Sequence, residues 1–275
     1  MRRLKIGGKL LRVRDEPEPA PDPGRGPLPL ICVHGAGMSS VVWMELVRRL
    51  PPARRVVAPD LPGHGQSESS AAAEPPTIAG YSDAVGAVSA QLGIERAVLV
   101  GHSLGGAVAL AAALQRPEKV AGLVLVNSAA ALPVSPELLA LLERTLPAPN
   151  AAAGPVWVDR LQSELAELMF SPATAKELRE RWQAVLLAAN RQTVLGDFKA
   201  CGSFDVRSRL GELNVPTLLV GGTDDLLVPP HALRATAEKI AGAKLQLVPD
   251  TAHLTHLEKP EPFLELLTEF LRGVA

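Results

Sequence analysis

The chain has 275 residues, 47 % of them apolar, which suits one α/β domain with an insertion better than two independent domains. Its 28 basic and 29 acidic residues nearly cancel, so no electrostatic attraction to nucleic acid or to an anionic membrane follows. Aromatic residues make up only 3 %, which argues against a base-stacking surface, and no window supplies the roughly 20 unbroken apolar residues of a membrane helix.

At the start, Leu4, Ile6, Leu10, Leu11 and Val13 alternate with basic residues and glycines, the pattern of a strand pair and not of a signal peptide. Cys32 and Cys201 stand far apart in no metal or redox spacing, so neither a disulfide framework nor a metal site is expected, and a cytoplasmic location is. Residues 15–29, rich in proline and glycine, read as an irregular surface connection. Buried strands follow at 30–33, 55–58, 98–100, 123–126, 217–220 and 245–248, with helices over 77–92, 104–116, 230–241 and 260–272. Continuous apolar strands alternating with helices mean a mainly parallel sheet with helices on both faces.

Between Leu132 and Asp205 this rhythm stops and the pattern is helical three times over. Ser135-Pro136-Glu137 and Ser171-Pro172 each place a capping serine before a proline suited to the first helical position. Trp157, Leu161, Leu165 and Leu168 repeat at helical spacing, as do Leu178, Trp182, Val185 and Ala189. Such stripes are packing faces, but a helical insertion into a parallel sheet can also cover a pocket. The expected division is a core of residues 1–131 and 206–275, interrupted by a helical cap over 132–205.

Between the strand ending at Val100 and the helix beginning near Leu104 stands Gly101-His102-Ser103-Leu104-Gly105, a G-x-S-x-G elbow. A sharp strand-to-helix turn brings the positions two before and two after its corner close together, so both are glycine. A helix-capping role would account for Ser103 but not for the glycines on both sides. A serine hydroxyl needs a base within hydrogen-bond reach, and the base needs an orienting acid. In this strand-elbow-helix arrangement the order is serine, acid, histidine. Asp224 and Asp225 both follow the strand at 217–220, where open α/β sheets place their sites, and His253 lies in the loop after the last strand. A tetrahedral intermediate also needs backbone donors: the N–H of Leu104 and one from the loop Val33-His34-Gly35-Ala36-Gly37-Met38.

Taken in order, VHGAG followed by Trp43, DLPGHGQS at 60–67, GHSLGG at 101–106, GGTDDLLVP at 221–229 and AHLTHLEKP at 252–260 span nearly the whole chain. They resemble the α/β-hydrolase superfamily, in its branch of compact serine hydrolases with a helical cap. The resemblance implies Asp225 as the acid, three residues after Gly222, and His253 as the base, with Ala252 where glycine is usual. It implies Ala36 as the second oxyanion donor, with Gly37 as the alternative, and it implies no cofactor or metal. His34, His64 and His102, inside these motifs, are expected to hold loops, and a metal pair of His253 and His256 lacks a third ligand.

What this implies is acyl transfer from a small-molecule ester, most simply by a carboxylesterase for small to medium acyl chains. Met38, Met169, Phe170 and Trp182 are the pocket residues expected to receive an apolar group. Haloalkane dehalogenases and epoxide hydrolases resemble this chain but attack with aspartate, where it has Ser103. Carbon–carbon bond hydrolases typically carry asparagine where it has His102, and cofactor-free perhydrolases often carry an aromatic where it has Ala36. A lactonase, or a ligand-binding member of the fold with little turnover, shares the same motifs. Neither stable membrane insertion nor a nucleic-acid partner is expected, and the oligomeric state is not legible.

Overall fold

The computed structural model describes residues 1–16, 26–69, 75–145, 168–187 and 191–274. Eight strands form one sheet: β1 (Arg2–Ile6), β2 (Lys9–Glu16), β3 (Leu30–Val33), β4 (Val56–Pro59), β5 (Ala97–His102), β6 (Val120–Val126), β7 (Thr217–Gly222) and β8 (Lys244–Val248). Their spatial order is β1-β2-β4-β3-β5-β6-β7-β8. β1, β2 and β4 pair antiparallel, and β4 through β8 run parallel. Gly7 and Gly8 close the β1–β2 hairpin with φ of 56° and 85°, the double left-handed geometry of a type I′ turn.

Side-chain alternation explains why the central strands read as unbroken apolar runs. Ile31, Val33, Leu99, Leu123, Leu125 and Leu219 face one layer, formed by α2 (Ile78–Gln91), α3 (Leu104–Gln115) and α7 (Pro230–Ala237). Leu30, Cys32, Val98, Val100, Val124, Val126, Leu218 and Val220 face the other, formed by Trp43, α1 (Met44–Arg49), α8 (Thr255–Glu258) and α9 (Pro260–Arg272). Both faces are filled, so neither needs polar residues. Thr77 caps α2 by accepting a hydrogen bond from Gly80 N–H at 3.0 Å.

Several sequence expectations shift. α7 stops at Ala237 and not near 241, because the N–H groups of Lys239 and Ile240 bond three residues back, to Thr236 and Ala237, and tighten the chain out of α geometry. β2 runs through Asp15 and Glu16, residues expected in the irregular connection, because buried Asp15 pairs with Arg55 through both carboxylate oxygens at 2.8 and 3.0 Å and with Arg2 at 2.9 Å.

Between β6 and β7, where the sequence predicts a helical cap, the described helices are α4 (Pro136–Thr145), α5 (Lys176–Leu187) and α6 (Arg191–Gly202). Ser135 caps α4 as its sequence predicts, accepting from Leu138 N–H at 3.1 Å. Ser171 does not start a helix: it opens a turn, and its hydroxyl is engaged by Asp224. Trp157, Leu161, Leu165 and Ala189 lie outside the described residues. One antiparallel bridge, Ala131 to Asp205, joins the two ends of the insertion. No helix among the described residues is long and apolar enough to cross a membrane.

The Asp15 pairings give a test of the sheet edge. Asp15→Leu leaves the Arg55 guanidinium without its carboxylate and is expected to destabilise the protein by about 2 kcal/mol. Urea unfolding at neutral pH measures it, with the midpoint falling at unchanged slope.

Candidate active site

The elbow between β5 and α3 is set by backbone contact. A Cβ on Gly101 would overlap the Gly105 carbonyl, and one on Gly105 would overlap the carbonyl oxygens of Val33 and His34. Ser103, squeezed between them, adopts φ 52° and ψ −118°, a conformation costing about 1–3 kcal/mol that is held by its surroundings. Its N–H bonds Val126 O at 2.9 Å, and its carbonyl accepts from Gly106 N–H and Ser128 Oγ, both at 2.8 Å. Ser103 precedes the first helical residue yet makes no capping bond with its side chain. Its hydroxyl points instead to His253, with 2.9 Å between Oγ and Nε2.

His253 is buried in the loop after β8. Its Nδ1 lies 3.1 and 3.0 Å from the two oxygens of Asp225. A carboxylate only accepts, so Nδ1 carries the hydrogen and Nε2 is left free to accept from Ser103. Asp225 is pinned in turn: Oδ1 accepts from Leu227 and Val228 N–H at 2.9 and 3.0 Å, and Oδ2 from Asn127 Nδ2 at 2.9 Å. Of the two aspartates the sequence offers, Asp225 is therefore the one that faces the imidazole. Asp224 is half-buried, bonded to Ser171 and Thr223 hydroxyls that hold its carboxyl below the usual range.

Asn127 and Glu258 belong to this frame; Asn127 carries no local sequence signature, and Glu258 stands in the 252–260 stretch with no role assigned to it by the sequence. Asn127 takes φ 48° directly after β6 and also bonds Ala252 O at 2.8 Å. Glu258 Oε1 accepts from Ala252 and Leu254 N–H at 2.8 and 3.2 Å, gripping the peptide on each side of His253. Its Oε2 accepts from Ser171 N–H at 2.9 Å and from the Thr174 hydroxyl, both in the insertion. Met169 O receives His253 N–H at 3.2 Å.

Ala36 borders the space over Ser103 and Leu104 follows Ser103 directly, and neither N–H has a hydrogen-bond partner among the described residues. The N–H of Gly37, the alternative donor, is taken by Asp197 Oδ2 at 3.0 Å. A cavity of about 190 Å³ opens over Ser103, walled by Met38, Leu132, Val134, Leu168, Met169 and Phe198 among others. Met38 and Met169 thus stand where the sequence expects pocket residues. Phe170 and Trp182 do not line this cavity: both side chains are taken up by apolar packing in the layer that contains Trp43. Among the described residues no group of three or more His, Cys, Asp or Glu side chains is placed to hold a metal ion.

Besides His64, three further buried histidines lie around the site. His102 donates from Nε2 to His253 O at 2.7 Å, and burial pushes its pKa well below the ordinary value. Burial lowers His34 and His256 to about 3. His256 lies against the Trp43 ring at 4.7 Å between centroids, with neither nitrogen hydrogen-bonded. All three are neutral when folded and take up a proton when unfolded, below their ordinary pKa of 6.5. Their folded values are depressed, so stability is full above that value and is lost as pH falls towards the folded one. Each is expected to remove about 1 kcal/mol between about pH 7 and about pH 5.5, read from urea unfolding at both pH values. Replacing His256 by Phe should shrink the pH effect by its share.

A model of the α/β-hydrolase fold family matches residues 29–260. The chain is 32 % identical, over 91 % of its length and 88 % of the other's, to a 2-hydroxymuconate semialdehyde hydrolase of Pseudomonas sp.. It is 31 % identical, over 90 % of its length and 95 % of the other's, to a pimeloyl-[acyl-carrier protein] methyl ester esterase of Vibrio campbellii. Among solved structures, a thermophilic esterase from Thermogutta terrifontis superposes with a TM-score of 0.82 at 26 % identity, covering 99 % of each chain. Elbow, sheet order and these likenesses agree, and the chain belongs to the α/β-hydrolase fold family.

Proposed function

We propose that this protein is a cofactor-independent carboxylesterase that cleaves small to medium acyl esters through an acyl-enzyme on Ser103. The observation that carries the reading is the unbroken chain Ser103 Oγ, His253, Asp225, opening onto an apolar cavity. In this mechanism the Ser103 oxygen attacks the ester carbonyl while His253 Nε2 takes its proton. Asp225 holds the imidazole tautomer and stabilises the imidazolium as it forms. The N–H groups of Ala36 and Leu104 receive the oxyanion. His253 then returns its proton to the departing alcohol, and water, deprotonated by the same imidazole, releases the acid and restores Ser103. The two free cysteines, both buried, suit a reducing cytoplasm.

Carbon–carbon bond hydrolysis is the second reading, favoured by the Pseudomonas relative's name. A muconate semialdehyde carries a carboxylate, yet no lysine or arginine stands among the described residues lining the cavity. That lining suits a neutral ester or lactone better. Perhydrolysis would use the same acyl-enzyme and is read by adding hydrogen peroxide as the acyl acceptor, whereas ligand binding with little turnover is distinguished by the ester assay itself.

Hydrolysis of p-nitrophenyl esters from acetate to palmitate tests the proposal. A chain-length optimum at the short to medium end is expected, with kcat falling by about 10⁴-fold or more in Ser103→Ala. No turnover of any ester by folded protein overturns the esterase reading. Because burial holds His102 and His256 neutral, neither should add to the acid limb, and log kcat/KM should fall there with unit slope. A slope of two would mean that a neighbouring histidine also titrates.

A further inference from the structure

Asp197 is completely buried in α6, within the inserted segment. A carboxylate removed from water has to be matched by donors. All three of its donors come from outside the insertion. Tyr81, on α2, gives its hydroxyl hydrogen to Oδ1 at 2.6 Å. His64, in the loop after β4, donates from Nε2 to Oδ2 at 2.7 Å. Gly37, in the loop after β3, gives its backbone N–H to Oδ2 at 3.0 Å. Burial and the nearby carboxylate both raise the Tyr81 pKa, which keeps its hydroxyl a donor.

The Gly37 bond bears on the chemistry. That N–H belongs to the peptide joining Ala36 to Gly37, and Gly37 sits at φ 66°. Fixing its direction fixes that peptide plane, while Met38 N–H to Gly35 O at 3.2 Å closes the turn from the other side. Ala36 N–H is then left unpartnered beside Ser103. An oxyanion donor works only if it is in place before charge develops.

We propose that Asp197 is a positioning residue: by accepting the Gly37 N–H it holds the Ala36 N–H in register with Ser103. This rests on the serine-hydrolase reading above. The insertion therefore does more than cover the pocket. One carboxylate reaching down from it sets the geometry of the oxyanion loop.

The residue admits an informative pair of variants. Asp197→Leu removes every acceptor at similar volume. Asp197→Asn keeps one oxygen for Gly37 and His64, and its amide can donate to the Tyr81 oxygen once that hydroxyl rotates. Kinetics on p-nitrophenyl butyrate and inhibition by an alkyl trifluoromethyl ketone, whose adduct on Ser103 carries an oxyanion, read the effect. Asp197→Leu is expected to lower kcat about 100-fold, with KM changed by less than about threefold and the ketone bound about 100-fold more weakly. Asp197→Asn should recover to within about tenfold of wild type. Asp15→Leu, remote at the sheet edge, supplies a destabilised control that keeps wild-type kcat. If Asp197→Leu does not fold, Asp197→Ser, too short to reach Gly37, takes its place with the same expectation.

Wild-type kcat in the Leu or Ser variant, or an equal loss in Asp15→Leu, overturns the positioning role. So does Asp197→Asn as impaired as Asp197→Leu. Fluorophosphonate labelling of Ser103 separates the two proposals. Wild-type protein that is neither labelled nor active overturns the serine-hydrolase reading and this role with it. Labelling of Asp197→Leu at the wild-type rate overturns the positioning role alone.

Discussion

The backbone contact between Gly101 and Gly105 governs the site, because it decides where the chain can turn. With no Cβ at either position, β5 runs directly into α3 and the Gly105 peptide lies against the end of β3. Any side chain there would push α3 off the sheet and carry Ser103 away from His253. The strain at Ser103 is therefore a result of packing on three sides. β3 and β6 flank β5 in parallel register, and the apolar layer that contains α3 closes above them. A corner held this way leaves the serine side chain one direction to point, which is the preorganisation that nucleophilic chemistry needs.

From that corner the rest of the arrangement follows from parallel topology. The carboxyl ends of β3, β5, β6, β7 and β8 all lie on one edge. There they supply, in turn, the 34–38 loop, Ser103, Asn127, Asp225 and His253. No strand could bring two of these groups into hydrogen-bond contact by itself, because side chains two apart on one strand face the same way but stand about 6.6 Å apart. Convergence comes from neighbouring strands ending together. Fine adjustment comes from buried polar ties between their loops: Asn127 to Asp225 and to Ala252 O, and His102 to His253 O. Each tie is made in a place water does not reach, where an unpaired group is costly, so each resists slippage.

What the sequence shows and what it hides divide along the same line. Strands, most helix bounds, the Ser135 cap and the elbow are written in contiguous residues, because their causes are local: periodicity, capping and sterics between positions four apart. Composition and periodicity do not separate Asp225 from Asp224; the resemblance implies Asp225 by its spacing from Gly222, and the physical reason lies in space, where one meets an imidazole and the other meets Ser171. Asp197 is less legible still. It sits among Gly196, Phe198 and Lys199 on a helix of ordinary composition, where an acidic residue reads as solvent-facing. Its partners lie 160, 133 and 116 residues away, at Gly37, His64 and Tyr81. Phe170 and Trp182 mislead for the opposite reason: large apolar side chains in a covering segment suggest a substrate wall, while packing beside Trp43 claims them.

The segment between β6 and β7 is consequently tied to the rest of the chain by polar contacts at two sides of the site. Asp197 engages the 34–38 loop, while Ser171, Thr174 and the Met169 carbonyl engage Asp224, Glu258 and His253 N–H. Met169 lines the cavity through its side chain and steadies the His253 loop through its backbone. A segment with both duties cannot be varied for one alone. Substitutions that reshape the wall at Leu168 or Met169 also bear on the peptide that holds His253. Leu227, on the sheet side of the same cavity, is bound in the same way, because its N–H holds Asp225. Leu226 lines the cavity beside it without a bond to Asp225 or His253 among the described residues, so the wall can change at position 226 while the arrangement of Ser103, His253 and Asp225 stays intact.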